Sequence, residues 1–594
     1  MKKNNSMISH LFFKLMPVQA LIVAMGSINS IVDGAIAGRF IDSKTVGVIG
    51  LFAAITGILT SANSVMLGGS SVLSGRYMGA GDVEKTRGIF SLDIALSLII
   101  SGVVFLAMIL FPGPIAVMCG ADESLKHALE LYIIGFSFGV IPQMLSTQIA
   151  SFLQMERQTL RSYIGVAVMI VSNIILNITL VVVFNMGIFG LALSTSVCNW
   201  IYFFVLASYY FGGNTQLKFS IKNILWSDAA ELIRIGAPGA LLTLCLAFRE
   251  LSLNRIALKY LGEDGLSARA ALNMVTALFI ALCLGGGSVI RMLASVSIGE
   301  EDRDSVKELI KLCFTKVILM CVGISVFVIC ISGWVAAIFF PDTSSQVYKY
   351  AYQYFLMLDI SIPLVMVVQI QTNYLQAMKQ NLCVHIFSIV DGYLSVVLPA
   401  LILTPAIGAW GLWISIPIGI TISAMVYPIY AIIYWKRIPR TFDEWLLFKE
   451  DFGVSDKDRM VINIHTIDDV STTSEKTQVF CAEHGFNKKI SFYCALCLEE
   501  MARNVVTYGF SKDSKKNYLD ARIVCMDEEV LLRLKDDCPP FDPMEMAKNL
   551  GMEDPTTNIG IRMVTQISDE VNYQSILGLN VITIRFKKTM AMSG

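Results

Sequence analysis

The chain has 594 residues, a formal net charge of −1 at neutral pH, and a composition that is 55% apolar and only 16% charged. It is too long for one ordinary core, and soluble proteins run to roughly 45–50% apolar and about 25% charged, so a single soluble globule is excluded. A near-neutral chain without a basic stripe among aromatics also argues against nucleic acid as a partner.

In chain order, an apolar stretch behind Lys2 and Lys3 continues as a full span with no small-residue cleavage site, which reads as a retained first helix rather than a signal peptide. Twelve segments reach the roughly 20 apolar residues that a bilayer core requires. They centre near residues 21, 57, 100, 142, 173, 199, 245, 278, 324, 362, 393 and 422. Under alternation Arg76, Lys85, Arg157, Lys218, Arg303, Lys379 and Lys436 fall on one side, while the opposite loops 111–120, 184–187 and 405–410 carry no lysine or arginine. Basic loops stay cytoplasmic, so both termini are expected in the cytoplasm and the chain is expected in the cytoplasmic membrane, as a multi-pass protein among lipids.

The spans read twice. Ile141-Pro142 through Gln148 matches Ile362-Pro363 through Gln369, Gly187 to Ser194 matches Gly408 to Ser415, and Met66 to Val72 matches Cys283 to Val289, at offsets near 220 residues. Six helices separate equivalent points, which makes this a parallel repeat about an axis along the membrane normal. The expected organisation is a first six-helix half over 1–219, a second over 220–435, an amphipathic linker over 436–458 and a soluble domain over 459–594. Gly68, Gly69, Gly285, Gly286 and Gly287 are expected to let helices approach closely.

Ile31-Val-Asp-Gly-Ala-Ile-Ala-Gly-Arg39, Ala62-Asn-Ser-Val-Met-Leu-Gly-Gly69 and Arg76-Tyr-Met-Gly-Ala-Gly-Asp82 resemble the multidrug and toxic compound extrusion (MATE) family, over roughly residues 10–435. The resemblance implies two six-helix bundles around a V-shaped cleft, and export of organic compounds in exchange for inward sodium ions or protons.

Ionisable groups inside a membrane are costly and usually mark a pathway. Asp33, Asp93, Arg249, Glu250, Asp359 and Asp391 are the candidates. Asp33 matches the family's motif aspartate, to which the resemblance assigns cation coupling. In the repeat it aligns with Asn254, which shares a helical face with Glu250 one turn earlier. The resemblance suggests Glu250 as a second-half acid, although the adjacent Arg249 is expected to neutralise it. Asp359 and Asp391 are further candidates for cation coupling or substrate contact. Asp93 is read as close to a helix start, where capping is its plain role. The plain alternative for the others is an interhelical hydrogen bond to Gln143, Gln148, Gln369 or Gln371.

In the linker, Trp445 to Phe448 are expected on the membrane surface or against the soluble domain. Strands are expected at 461–464, 521–525, 530–534, 571–573 and 581–586, and helices at 472–483, 490–508 and 560–567. The Cys494-x-x-Cys497 pair has no second pair and no histidine nearby, so it reads as core packing rather than zinc or redox chemistry. Three clusters carry chemistry. Glu500 and Asn504 lie on one helical face, where an amide oxygen suits Mg²⁺ and a carboxylate can polarise a hydroxyl. Asp536 heads Asp536-Asp-Cys-Pro-Pro-Phe-Asp-Pro543 at a strand end. Gly560 in Asn558-Ile-Gly-Ile-Arg-Met-Val564 opens a helix whose amides can meet phosphate.

Together with the closing Gly578 to Phe586, these resemble the GHKL (histidine-kinase-like) ATPase superfamily, and most closely its anti-sigma-factor serine kinases, over about residues 460–587. The resemblance implies Asn504 as Mg²⁺ ligand, Glu500 as general base, Asp536 as adenine contact and Gly560 as a phosphate-loop position, with ATP and Mg²⁺ as cofactors. Cys538 and Pro540 stand where glycines are usual, and Tyr508 where histidine is frequent. The expected fold is therefore an all-α polytopic membrane domain of twelve transmembrane helices followed by a cytosolic α/β sandwich.

No Gly-x-x-x-x-Gly-Lys-Ser/Thr loop is present, which excludes an ABC-type pump. Three functions stay open. The first is a sodium- or proton-driven antiporter for small organic compounds, regulated by ATP binding. The second is a membrane-anchored serine kinase acting on a protein of anti-sigma-antagonist type. The third is a flippase for lipid-linked precursors.

Overall fold

Inside hydrocarbon a backbone finds no water, and helices satisfy their amide groups within one segment. The computed structural model describes residues 7–41, 43–121, 123–212, 215–449, 452–510, 517–543 and 559–588. Among these, twelve spans are long and apolar enough to cross a bilayer, one at each predicted centre. The first half holds α1 (Met7–Phe40), α2 (Ser43–Ala80), α3 (Val83–Leu110), α4 (Glu123–Met155), α5 (Thr159–Asn177, prolonged by the π-helical turn Ile178–Val183) and α6 (Gly187–Ala207). In the second half α7 and α8 form one helical run, Ala229–Gly299, divided at Gly262, whose φ of 70° a residue with a Cβ rarely adopts. Then come α9 (Arg303–Leu312, through a π-turn into Ile318–Phe339), α10 (Gln346–Ala377), α11 (Asn381–Ile389, through the π-turn Val390–Leu394 into Ser395–Ile407) and α12 (Ala409–Trp435).

The halves meet at one end only. Near the soluble domain they share a core, in which Leu11, Phe12, Met78 and Phe152 pack with Ile290, Leu293, Leu309 and Tyr374. At the far end the core splits in two, one part around Phe52, Tyr132 and Phe136 and the other around Leu253, Tyr354 and Trp413. Glycines follow the same division. A Cβ on Gly79 would strike the Val296 carbonyl and one on Gly299 the Arg76 carbonyl, whereas Gly26, Gly34, Gly50 and Gly57 face open space. Gly69 and Gly285 also press on neighbouring backbone, at Leu232 and Ala20, so their expected role in close packing holds. The result is a V closed at the domain end.

The linker settles between its two sequence readings. Leu446, Leu447 and Phe448 are buried, off the membrane surface, in the shared core that also takes in Ile576, Leu577, Leu579 and Val581 of the soluble domain. Thr441 caps a single turn, Phe442–Trp445, which folds the apolar residues inward. There Tyr374 donates to the Leu446 carbonyl at 2.6 Å and Tyr427 to that of Trp445.

The soluble domain has five antiparallel strands, β1 (Arg459–Asn463), β2 (Leu519–Cys525), β3 (Glu529–Asp536), β4 (Glu570–Ile576) and β5 (Leu579–Lys587), in the order β1-β2-β3-β5-β4. Helices α13 (Ile467–Glu483), α14 (Lys488–Asn504) and α15 (Ile559–Ile567) pack on the sheet. Strand residues alternate between faces. Ala521, Ile523, Leu532, Leu534, Ile582 and Ile584 join the helices in one core, which also buries Cys494 and Cys497 as the sequence suggested. The intervening residues, Arg522, Arg533, Lys535, Val581 and Asn572 among them, point to the other face and towards the membrane domain.

Candidate functional site

In the first half, Asp33 of α1 is only 7% exposed. Asn173 and Asn177 stand one turn apart on α5, so both amides reach the same carboxylate. Asn177 Nδ2 donates to Asp33 Oδ1 at 2.7 Å, Asn173 Nδ2 donates to the same oxygen at 3.4 Å, and Thr195 Oγ1 of α6 donates to Oδ2 at 3.2 Å. Ser194 in turn donates to Asn177 Oδ1. Among the described residues no lysine or arginine pairs with Asp33, so its hydrogen-bond partners are neutral. Asp33 is thus a buried carboxylate held by two amide N–H donors and one hydroxyl. The π-turn Ile178–Val183 begins directly after Asn177, a distortion often found beside functional groups. Sequence reasoning missed Asn173 and Asn177, although two amides at helical spacing in an apolar span were a readable signal.

The second half is built differently. Glu250 and Asn254 do share a face of α7, but both face Arg269, across the divide at Gly262. Arg269 Nη2 lies 2.5 Å from Glu250 Oε2, and Nη1 donates to Asn254 Oδ1. Arg249, the expected neutraliser, is farther from Glu250 at 3.8 Å and donates instead to the Asp391 backbone carbonyl at 3.2 Å. Arg249 thus keeps its expected ion pair at longer range and Arg269 is the nearer cation, since adjacent helical residues point about 100° apart. Arg269 escaped notice because it lies between the predicted span centres at 245 and 278.

Asp359 is fully buried in α10, and neither carboxylate oxygen has a hydrogen-bond partner among the described residues. Asp391 sits in the π-turn of α11. Asp93 does not cap a helix: Asp82 caps α3, accepting from Lys85 N, and Asp93 is fully buried farther along. The glutamines proposed as partners bond elsewhere, Gln148 to Asn63 and Gln371 to the Ala424 carbonyl. These acids therefore do not form one cluster, and Asp33 is the one with a built ring of donors.

The soluble domain brings two of its predicted residues, Glu500 and Gly560, together. Glu500 lies on α14 with Asn504 one turn later, and the carboxylate packs so close to Gly560 at the start of α15 that a Cβ there would collide with Oε2. Asp536 ends β3. Its Oδ1 accepts from Cys538 N at 2.9 Å and Asn580 Nδ2 at 2.7 Å, and burial raises its carboxyl above the usual range, opposed by those bonds. Glycine opposite a carboxylate at a helix start, a helix amide side chain and a buried acid at a strand end fit a magnesium nucleotide. Asn558 lies outside the described residues.

The sheet's second face meets loops from both halves. Asn572 donates to the Gly81 carbonyl at 2.9 Å, Leu577 N to the Met155 carbonyl at 2.9 Å, and Ser575 N to Gln216 Oε1 at 3.3 Å. On the second half, Lys535 pairs with Glu300, and Arg522 with Asp302 at 3.4 Å. Burial works against the Asp302 carboxylate, but Arg522, Lys535 and the bonds from Ser305 outweigh it and hold its carboxyl below the ordinary 3.8. Arg157, between α4 and α5, donates to the Cys538 carbonyl at 2.9 Å and to that of Gly578. Asn580 Nδ2 also reaches the Cys538 carbonyl, at 3.3 Å. One strand end is thus shared by Asp536 and a loop of the membrane domain.

Comparison with known proteins agrees with this division. The MatE family profile matches residues 20–183 and 238–401, and the histidine kinase-like ATPase domain profile matches 465–586. The multidrug export protein MepA of Staphylococcus aureus is 25% identical over 339 residues, covering 54% of this chain and 71% of that protein. A structure of the Vibrio cholerae MATE transporter VcmN superposes with a TM-score of 0.67 at 15% identity, over 72% of this chain and 98% of that one. A MOP superfamily transporter from Pyrococcus furiosus gives 0.66 at 18% identity, over 73% and 96%. At these identities the structural likenesses establish the fold.

Proposed function

The chain belongs to the MatE family, whose profile covers more than half of it, with a histidine kinase-like ATPase domain appended, and from that premise we propose that it is a sodium- or proton-coupled exporter of small organic compounds, regulated by nucleotide at its soluble domain. The observation that carries the reading is Asp33, a buried carboxylate held by neutral donors alone. Uptake of a cation there neutralises the charge and competes for Asn173, Asn177 and Thr195, which tie α1 to α5 and α6. Release restores those bonds. Cation occupancy and helix packing are thereby linked, and a ligand shifts an equilibrium only through such differential contacts.

Orientation rests on the basic loops, which put the soluble domain and both termini in the cytoplasm. The V is then open to the outside. Glu250, Asn254, Asp359 and Asp391 have subordinate parts in this reading: the first two are engaged by Arg269, and the last two lie in the second half, apart from the Asp33 ring.

In the soluble domain Asn504 would hold Mg²⁺, Asp536 would accept from the adenine, the amides around Gly560 would meet phosphate and Glu500 would act as the general base. Bound Mg-ATP would supply a negative charge and an activated phosphoryl group. What this chain adds is position, because Asp536 and Arg157 share the Cys538 strand end. Asp536 and Arg157 would thereby couple nucleotide occupancy to the grip on the α4–α5 loop, while the sheet also holds Glu300 to Asp304 of the other half.

Asn504→Ala tests the nucleotide assignment. In the full-length protein in detergent, calorimetry should show Mg-ATP affinity falling by about tenfold or more, the scale of one lost charge-assisted contact, with ATP in EDTA far less affected. Equal losses with and without Mg²⁺ would remove Asn504 as the metal ligand.

A further inference from the structure

The duplicated halves are not equivalent at the position that matters most. Asp33 on α1 has Asn254 on α7 as its counterpart in the repeat. Where the first half surrounds its acid with neutral amides and a hydroxyl, the second half brings a guanidinium. Arg269 is 2% exposed. It donates to Asn254 Oδ1 and pairs with Glu250 at 2.5 Å. Close by, Tyr354 donates to Asn273 Oδ1. The Glu250 side chain itself remains 42% exposed, so the acid is reachable, and an inward-lying cation rather than depth of burial is what confronts an arriving ion.

We propose that Arg269 is a tethered cation that permanently fills the second half's counterpart of the Asp33 site, so that ion exchange runs through the first half alone and one cation moves per cycle. The proposal rests on the coupling role of Asp33 given above. A guanidinium stays charged across any pH the protein meets, and its planar fork satisfies the Glu250 carboxylate and the Asn254 amide oxygen together. A free sodium ion would have to displace a covalently attached competitor whose effective concentration does not fall. Arg249 adds a second positive charge 3.8 Å from the same carboxylate, which disfavours a further cation. Asp391, whose backbone carbonyl holds Arg249, is the other acid near this corner, and Asp359 lies on α10 beyond it.

The number of exchangeable cations decides the matter. Purified full-length protein is titrated with radioactive sodium and, in parallel, with acid in weakly buffered detergent to count protons taken up. The wild type should show one saturable cation, lost in Asp33→Asn and unchanged in Glu250→Gln. Arg269→Gln should gain a second, and Arg269→Gln with Glu250→Gln should return to one. Retained Mg-ATP affinity and an unchanged melting profile establish that each variant is folded, and an Arg269→Lys variant, which keeps the charge, should remain at one. Two sites in the wild type, loss of the single site in Glu250→Gln, or a single site in folded Arg269→Gln would each overturn the proposal. A wild-type site indifferent to Asp33→Asn would instead overturn the coupling role on which it rests.

Discussion

Replacing Asp33 by asparagine is expected to abolish ion-driven export, by at least about 100-fold in rate, while Mg-ATP affinity stays at the wild-type value. Asparagine keeps the shape but cannot exchange a cation for its charge. Its amide can still bond to Asn177 or Thr195, so the stability cost should stay near the roughly 1 kcal/mol of one altered hydrogen bond. Asn177→Ala should act more mildly, slowing export and weakening cation affinity, because Asn173 and Thr195 still donate to Asp33. Both effects are read from substrate efflux in proteoliposomes under an imposed gradient. Export by Asp33→Asn at the wild-type rate would remove the acid from the mechanism.

The second large effect is expected at the seam between the domains. Glu300, whose side chain is 3% exposed, pairs with Lys535 and lies 4.0 Å from Arg533. Glu300→Lys sets three cations together in a confined interface, and breaking a buried ion pair in this way costs about 3–5 kcal/mol. The soluble domain should then undock, which limited proteolysis near residues 452–458 would report, and export should lose its response to ATP. Arg157→Ala should also lose that response while leaving the domain docked, because it removes the links to the Cys538 and Gly578 carbonyls and leaves the Glu300 and Asp302 ion pairs in place. Restoration of docking by Lys535→Glu in the Glu300→Lys background separates the pairing from general damage. Asp302 makes a defined contribution to the pH dependence. Its carboxyl is depressed below the ordinary 3.8, so its contribution is complete above that value and is lost only as pH falls through the depressed one. The Asp302 contribution to docking should accordingly be insensitive to pH across the neutral range.

Much of this was readable in advance, for a physical reason. Hydropathy and repeat spacing report what a whole helix must do in oil, and all twelve spans lie where those signals put them. Strand alternation did the same for the soluble domain, where Gly560 opens a helix against the Glu500 carboxylate. What failed were statements about partners. The sequence places Arg249 beside Glu250, but only the fold brings Arg269 to it from beyond Gly262. Likewise Asp93 sits well inside α3 because Asp82 caps the helix eleven residues earlier, and the linker's apolar turn found a gap between α10 and α12 that no local pattern announces. The charged second face of the sheet was visible in Arg522, Arg533 and Lys535. Its purpose was not, since it depends on Glu300 and Asp302 more than two hundred residues away.

Transport in proteoliposomes, with the ion gradient and ATP varied independently, tests the central claim most directly. The account expects substrate movement whenever a sodium or proton gradient is imposed, at a rate that ATP changes but does not create, and none in Asp33→Asn. Movement driven by ATP in the absence of any gradient, or a gradient-driven flux that persists without the Asp33 carboxylate, would contradict it.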